Sequence, residues 1–139
     1  MFKKIMIPVD LSHADKLDRA LDCAGRLAGQ FGADAVYVGV SAATPSSVAR
    51  SPEDFAQKLD AFAAEQGKAH GIAASGHAVI SHDPATDLDP ALLKAVEDTG
   101  ADLVVMASHV PNITDHIWPS NGGTIASQAR ASVLVVRDN

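Results

Sequence analysis

The chain has 139 residues, 47% of them hydrophobic and 20% charged, with a formal net charge of −6. At about 100–200 residues per domain this predicts a single domain, and a chain of this size buries roughly 68–70% of its surface, so it needs neither disulfides nor a structural metal. An acidic balance with no basic stripe argues against a phosphate-tracking nucleic-acid binder, and no apolar run reaches the ~18 residues of a membrane span.

Short β-branched runs alternate with helical stretches along the chain. Lys4-Ile5-Met6-Ile7-Pro8-Val9 is apolar nearly throughout, as a strand buried on both faces should be, and Pro8 sits near its end, where a lost ladder donor costs least. Ser12-His13-Ala14-Asp15 predicts a helix start of the capping-box kind, with Asp in place of Glu. Leu17, Ala20, Leu21, Ala24, Leu27, Ala28 and Phe31 then recur at three and four, which is one apolar helix face. Gly32 is placed to close that helix.

The second strand is expected over Ala35–Val40, followed by a loop without period from Ser41 to Ser51. Ser51-Pro52-Glu53-Asp54 predicts a second helix, with Ser as N-cap and Pro first in the helix. Its face is Phe55, Leu59, Phe62, Ala63 and Gln66. His77–Ser81 is a weaker third strand. Asp89-Pro90 predicts the opening of a third helix through Leu93 and Val96, ended by Gly100. Leu103–Ala107 is the clearest strand. A polar loop runs from Ser108 to Ser120, a short helix from about Asn121 to Ala131, and Ser132–Val136 is the last strand. Such alternation implies βαβ units, right-handed crossovers and a parallel sheet covered on both faces. The amino end, Met1-Phe2-Lys3-Lys4, leads into too short an apolar run for a signal peptide. Lone Cys23 builds no disulfide framework and reads as a small core residue. A cytoplasmic location is the expectation.

Ligands of such sheets sit beyond the carboxyl ends of the strands. No P-loop and no dinucleotide fingerprint follows any strand. Ser81-His82-Asp83 carries the letters of a triad, but neighbours in an extended chain face alternate sides, so a polar strand-to-helix loop is the better reading. His109 and His116 lack a third metal partner and read as surface or pocket histidines. Asp10 reads two ways: a helix cap or turn former, or a carboxylate over a ligand. Ser120-Asn121-Gly122-Gly123-Thr124 gathers backbone N–H groups and hydroxyls at a helix start, either as an anion site or as an ordinary N-cap.

Taken together, Ile5–Ser12, Gly100–His109 and Ser132–Arg137 resemble the universal stress protein family along the whole chain. Ala107–Thr114 is similar to its small bacterial F/G-type branch. The resemblance implies a five-stranded parallel sheet of order 3-2-1-4-5, doubly wound and Rossmann-like. It also implies an adenine nucleotide, ATP or AMP with or without Mg²⁺, as a regulatory ligand in a stress response. The implied adenine and ribose contacts are Pro8, Val9, Asp10, Val40 and Met106. The family's phosphate motif, G-x-x-G-(nine residues)-G-[ST], falls on Ala107, His109, Val110, Pro119, Ser120, Asn121 and Gly122, with all three motif glycines replaced and the spacing shortened to eight. Val110 is β-branched and disfavours positive φ, and Pro119 has no N–H to donate. Branch relatives carry an arginine where Val110 stands. Nothing supplies a Mg²⁺-carboxylate pair, so any ATPase activity is expected to be slow. The alternative is an interaction module that has lost the nucleotide. In the implied strand order Val133–Val136 forms an open edge, and pairing with a second copy of itself would close it, a dimer the family commonly makes.

Overall fold

The protein is seen here as a computed structural model that describes residues 1–108 and 122–137. Five strands make one parallel sheet in the order β3-β2-β1-β4-β5. They are β1 (Lys4–Pro8), β2 (Asp34–Ala42), β3 (Ala74–Ser81), β4 (Leu103–Ala107) and β5 (Ser132–Val136). The helices are α1 (Asp18–Phe31), α2 (Pro52–His70), α3 (Pro84–Thr99) and α4 (Gly122–Gln128). α1 and α2 pack together on one face, α3 and α4 on the other, as right-handed crossovers in this strand order require.

The central strands read as apolar runs because neither face meets water. Ile5, Met6, Val104 and Val105 are fully buried. The predicted faces of α1 and α2 are the buried ones, through Leu17, Ala20, Leu21, Ala24 and Ala28, and through Phe55, Leu59 and Ala63. Leu27, Phe31, Phe62 and Gln66 are half-buried at the borders of those faces, and so is Cys23. It is therefore a flank residue of α1 rather than a core one.

Several boundaries differ from expectation. Ser12 does not open α1. A 3₁₀ segment from Leu11 to Lys16 intervenes, capped by Asp10, and α1 begins only at Asp18. Asp10 and Ser12 are both capping residue types two positions apart, and the earlier one takes the role. α3 begins at Pro84, not at Asp89-Pro90, so Pro90 lies inside the helix. The Asp87 N–H donates to the Asp83 carbonyl at 2.8 Å, so a first turn exists before Pro90 removes its own donor. α4 stops at Gln128, short of the expected Ala131. β2 and β3 are longer than their apolar runs suggested, because they pair along their length from Ala35–Ala74 to Ala42–Ser81.

Candidate functional site

The site follows from how β1 ends. The Lys3 carbonyl accepts from Asp34 N–H and the Val9 N–H donates to the Val38 carbonyl, at 3.0 and 2.8 Å, so the odd-numbered residues of β1 bond toward β2. The Lys4 carbonyl accepts from Asp102 N–H at 3.0 Å, so the even-numbered residues face β4. Pro8 is even. Its missing N–H falls on the β4 side, at the point where the two strands part to opposite connections, which is the topological switch point of the sheet. The β1–β4 register itself covers only Ile5–Leu103 and Met6–Val104.

The same alternation places Val40. Val38 bonds toward β1, so Val40, two residues on, turns its N–H and C=O to that side as well. A continued ladder would run from Val40 N–H to the Val9 carbonyl. Among the described residues that rung is not formed.

Between these strand ends lies a cleft of about 250 Å³, lined by Val9, Asp10, Leu11, Ser12, Val40, Ser41, Ala42, Ser46, Ser47, Val48 and Phe55. That is just under the ~300–1,000 Å³ common for small-molecule sites. Phe55 reaches it because residue 39 is glycine: a Cβ there would stand 2.7 Å from Phe55 Cζ. The ring thus closes directly on β2.

Asp10 is held hard. Its Oδ1 accepts from Ser12 N–H at 3.0 Å and from Ser12 Oγ–H at 2.6 Å, and its Oδ2 lies 2.9 Å from His13 Nδ1. Its side chain is only 9% exposed. An ionised carboxylate has about four acceptor positions, so the cap role leaves about one for anything else. His13 Nδ1 also stands 3.0 Å from Ser12 Oγ. One ring nitrogen facing both partners cannot relay a proton between them, so this is a turn-stabilising cluster and not a nucleophilic triad.

The outer wall of the cleft is the β2–α2 connection, built largely by its own hydrogen bonds. Ser46 Oγ accepts from Val48 and Ala49 N–H, both at 3.2 Å, and Ser46 N–H donates to the Ala49 carbonyl at 2.8 Å. Ser51 caps α2 by accepting from Asp54 N–H at 3.1 Å. Asp54 reaches back to accept from Arg50 N–H at 2.9 Å. That bond outweighs desolvation and, with Lys58 beside it, holds the Asp54 carboxyl below its usual range.

Of the residues singled out in the sequence, Val9, Asp10 and Val40 line the cleft and Pro8 is buried at the crevice beside it. Met106 is 2% exposed within β4, paired with Val135, and Ala107 with Val136. Neither is among the cleft-lining residues described. Gly122 begins α4. His109, Val110, His116, Pro119, Ser120 and Asn121 lie outside the described residues. Ser81 Oγ donates to Asp87 Oδ2 at 3.1 Å and accepts from Asp83 N–H at 3.3 Å, so Ser81–Asp83 is the turn into α3, as expected. Sequence reasoning missed Ser46, Val48 and Phe55. The available signal was position: a Ser-, Thr- and Pro-containing connection leaving the carboxyl end of a strand next to the switch point. Among the described residues, no group of three His, Cys, Asp or Glu could hold a metal ion, and no helix is long and apolar enough to cross a membrane.

Residues 1–137 match the model of a family described as the universal stress protein family. Universal stress protein G of Salmonella typhimurium is 28% identical over 151 residues, covering 99% of this chain and all of the relative. Among solved structures, a universal stress protein in complex with cAMP superposes with a TM-score of 0.68 at 19% identity, over 97% of both chains. The universal stress protein from Archaeoglobus fulgidus in complex with dAMP gives 0.62 at 17% identity, over 96% of both.

Proposed function

The chain belongs to the universal stress protein family, and from that premise we propose that it binds an adenine nucleotide as a regulatory ligand of a cytoplasmic stress response. The cAMP and dAMP held by two relatives of the same fold support the ligand class. The observation that carries the reading is the open N–H and C=O of Val40 at the mouth of an apolar cleft. Adenine presents an acceptor and an amino donor side by side on its pairing edge, which the N–H and C=O of one strand residue can meet together. Val9, Leu11, Val48 and Phe55 supply apolar wall for the ring. Ser12, fixed on Asp10, is the proposed partner of a ribose hydroxyl.

The phosphates would point across the crevice toward the end of β4. Met106 stays a proposed contact of the adenine and ribose, and Ala107, His109, Val110, Ser120, Asn121 and Gly122 remain the proposed phosphate contacts. With Val110 and Pro119 in place of glycines, few backbone donors are offered to a triphosphate. Adenosine, AMP and ATP should therefore bind within about tenfold of one another, or 1.4 kcal/mol. Isothermal titration with the three ligands tests this. No heat with any of them at millimolar concentration would remove the nucleotide reading, and ATP tighter by a hundredfold would restore the phosphate half.

We also propose a homodimer through β5. Leu134 and Val135 are 38% and 36% exposed on this strand, which pairs only with β4 among the described residues. Pairing with a second copy would cover an apolar edge that otherwise invites aggregation. Sedimentation showing a folded monomer at micromolar concentration would sink the idea.

A further inference from the structure

We infer that Lys58 is a positioning residue for the proposed nucleoside site, fixing the cleft wall without touching the ligand. The inference rests on the nucleotide reading above. The wall residues Ser46, Ser47 and Val48 line the cleft, yet they belong to a loop that must be fastened to something rigid. Two fastenings reach it from α2. The Asp54 carboxylate takes the Arg50 N–H, and the Lys58 ammonium donates to the Val48 carbonyl. Lys58 Nζ also lies 3.4 Å from Asp54 Oδ2, so both fastenings share one ion pair. Ala49, between them, is buried at 5% exposure and anchors the loop to the core.

The geometry gives Lys58 a role that its long stem and charged donor suit. Val48 presents its side of the chain to the cleft while its carbonyl points back to α2, so holding that carbonyl fixes the peptide whose side chain walls the site. A hydrogen bond from a charged donor is about twice as strong as a neutral one, but half-exposed charges are screened by salt. Wall position, and with it ligand residence, should therefore depend on ionic strength even for an uncharged ligand.

Adenosine is the probe, because it brings no charge of its own. In Lys58→Met, which keeps the apolar stem, adenosine should bind about three- to tenfold more weakly, chiefly through faster dissociation. Lys58→Arg should restore most of the affinity. Raising NaCl from 50 to 500 mM should weaken adenosine binding to the wild type and leave Lys58→Met unaffected. Hydrogen exchange on the ligand-free protein gives an independent arm: the Val48, Ala49 and Arg50 amides should exchange faster in Lys58→Met, while the Val9 amide, bonded to Val38, should not change. Lys58→Met binding adenosine like the wild type overturns the inference, whether or not those amides exchange faster. If the wild type itself ignores adenosine, the nucleotide reading falls instead. The exchange arm then decides alone whether Lys58 holds the loop: faster exchange upholds the clasp and unchanged exchange overturns it.

Discussion

The two ends of the parallel sheet are finished in opposite ways. At the amino end the polar groups are closed off. Asp102, at the start of β4, accepts the backbone N–H groups of both Lys3 and Lys4, at 2.9 and 3.1 Å, and its own N–H and C=O bond to Lys4 and Ser132. Three helices also end there, α1, α2 and α3, on Gly32, Gly71 and Gly100 with φ of 63°, 65° and 71°. Those left-handed residues return the chain to the next strand in a few steps. At the carboxyl end the rungs stop short: Pro8 brings no N–H toward β4, and among the described residues Val40 keeps its peptide groups open. The same strands thus carry a sealed rim that holds the fold and an open rim that can hold a ligand, and breaking one should leave the other's property in place.

The largest effect is expected at the open rim. Asp10→Ala removes three hydrogen bonds to Ser12 and His13 and should lower adenosine affinity by at least thirtyfold, on the order of 2 kcal/mol, since both the carboxylate and the turn that presents Ser12 are lost. Stability should fall by only about 1 kcal/mol, the worth of a cap. Asp10→Asn separates the two roles, because an amide can still accept from Ser12. If turn formation is what matters, Asp10→Asn keeps most of the affinity; if ligand contact by the charge matters, it fails like alanine. Titration calorimetry alongside urea melts reads both. Wild-type affinity in Asp10→Ala would remove Asp10 from the site altogether.

At the sealed rim the pattern should invert. Asp102→Ala should cost about 1–2 kcal/mol of stability by leaving two strand-start N–H groups without their acceptor, with adenosine affinity unchanged. Its pH dependence has a definite sign. Burial opposes the Asp102 charge, but the Lys3 and Lys4 N–H groups outweigh it, and the carboxyl is held below its ordinary value. A carboxyl depressed in the folded state contributes above the unfolded pKa of about 3.9 and loses that contribution as pH falls through the lower, folded value. The wild type should therefore destabilise more steeply than Asp102→Ala as pH falls below about 4. Parallel acid-unfolding curves for the two proteins would contradict this.

Both rims were legible only in part, for a physical reason: at the sealed rim the sequence showed Gly32 and Gly100 but neither Gly71 nor the Asp102 bonds to Lys3 and Lys4. Gly32 and Gly100 announce helix ends by composition, and β1 and β4 announce double burial by unbroken apolar runs. Strand order came from family resemblance, since periodicity carries no information about which strands are neighbours. At the open rim, Asp10 was legible as a polar residue at a strand end, but its choice over Ser12 as cap depends on where the 3₁₀ segment starts. Val40 looked like any strand valine. What makes it distinctive is a missing rung, set by the register between β1 and β2 and by the place where β1 stops. Lys58 was invisible for the same reason: its partner carbonyl lies ten residues away on a loop with no period. Pro90 misled because a proline after Asp imitates a helix start, whereas Pro84 had already supplied one.

Tyr37 lies between the two rims and should respond to neither, which makes it the finest test of the contrast. It is fully buried in β2, packed edge-on against Phe62 at 5.6 Å, and its hydroxyl has no hydrogen-bond partner among the described residues. Burial pushes its pKa up to about 12. A buried hydroxyl without a partner forfeits its hydration, typically about 1–3 kcal/mol, while removing one oxygen leaves only a small gap. Tyr37→Phe should therefore raise stability, by roughly 1 kcal/mol after that gap is counted, and leave adenosine binding untouched. An alkaline titration adds a sign. The folded pKa lies above the unfolded value of about 10, so the tyrosine's share of stability holds below pH 10 and drains away as pH rises toward 12. The phenylalanine variant should lack that loss, and its lead over the wild type should widen through the same window. A loss of stability in Tyr37→Phe at neutral pH would mean that the hydroxyl is satisfied, and the interior between the rims would then be as fully bonded as the amino end.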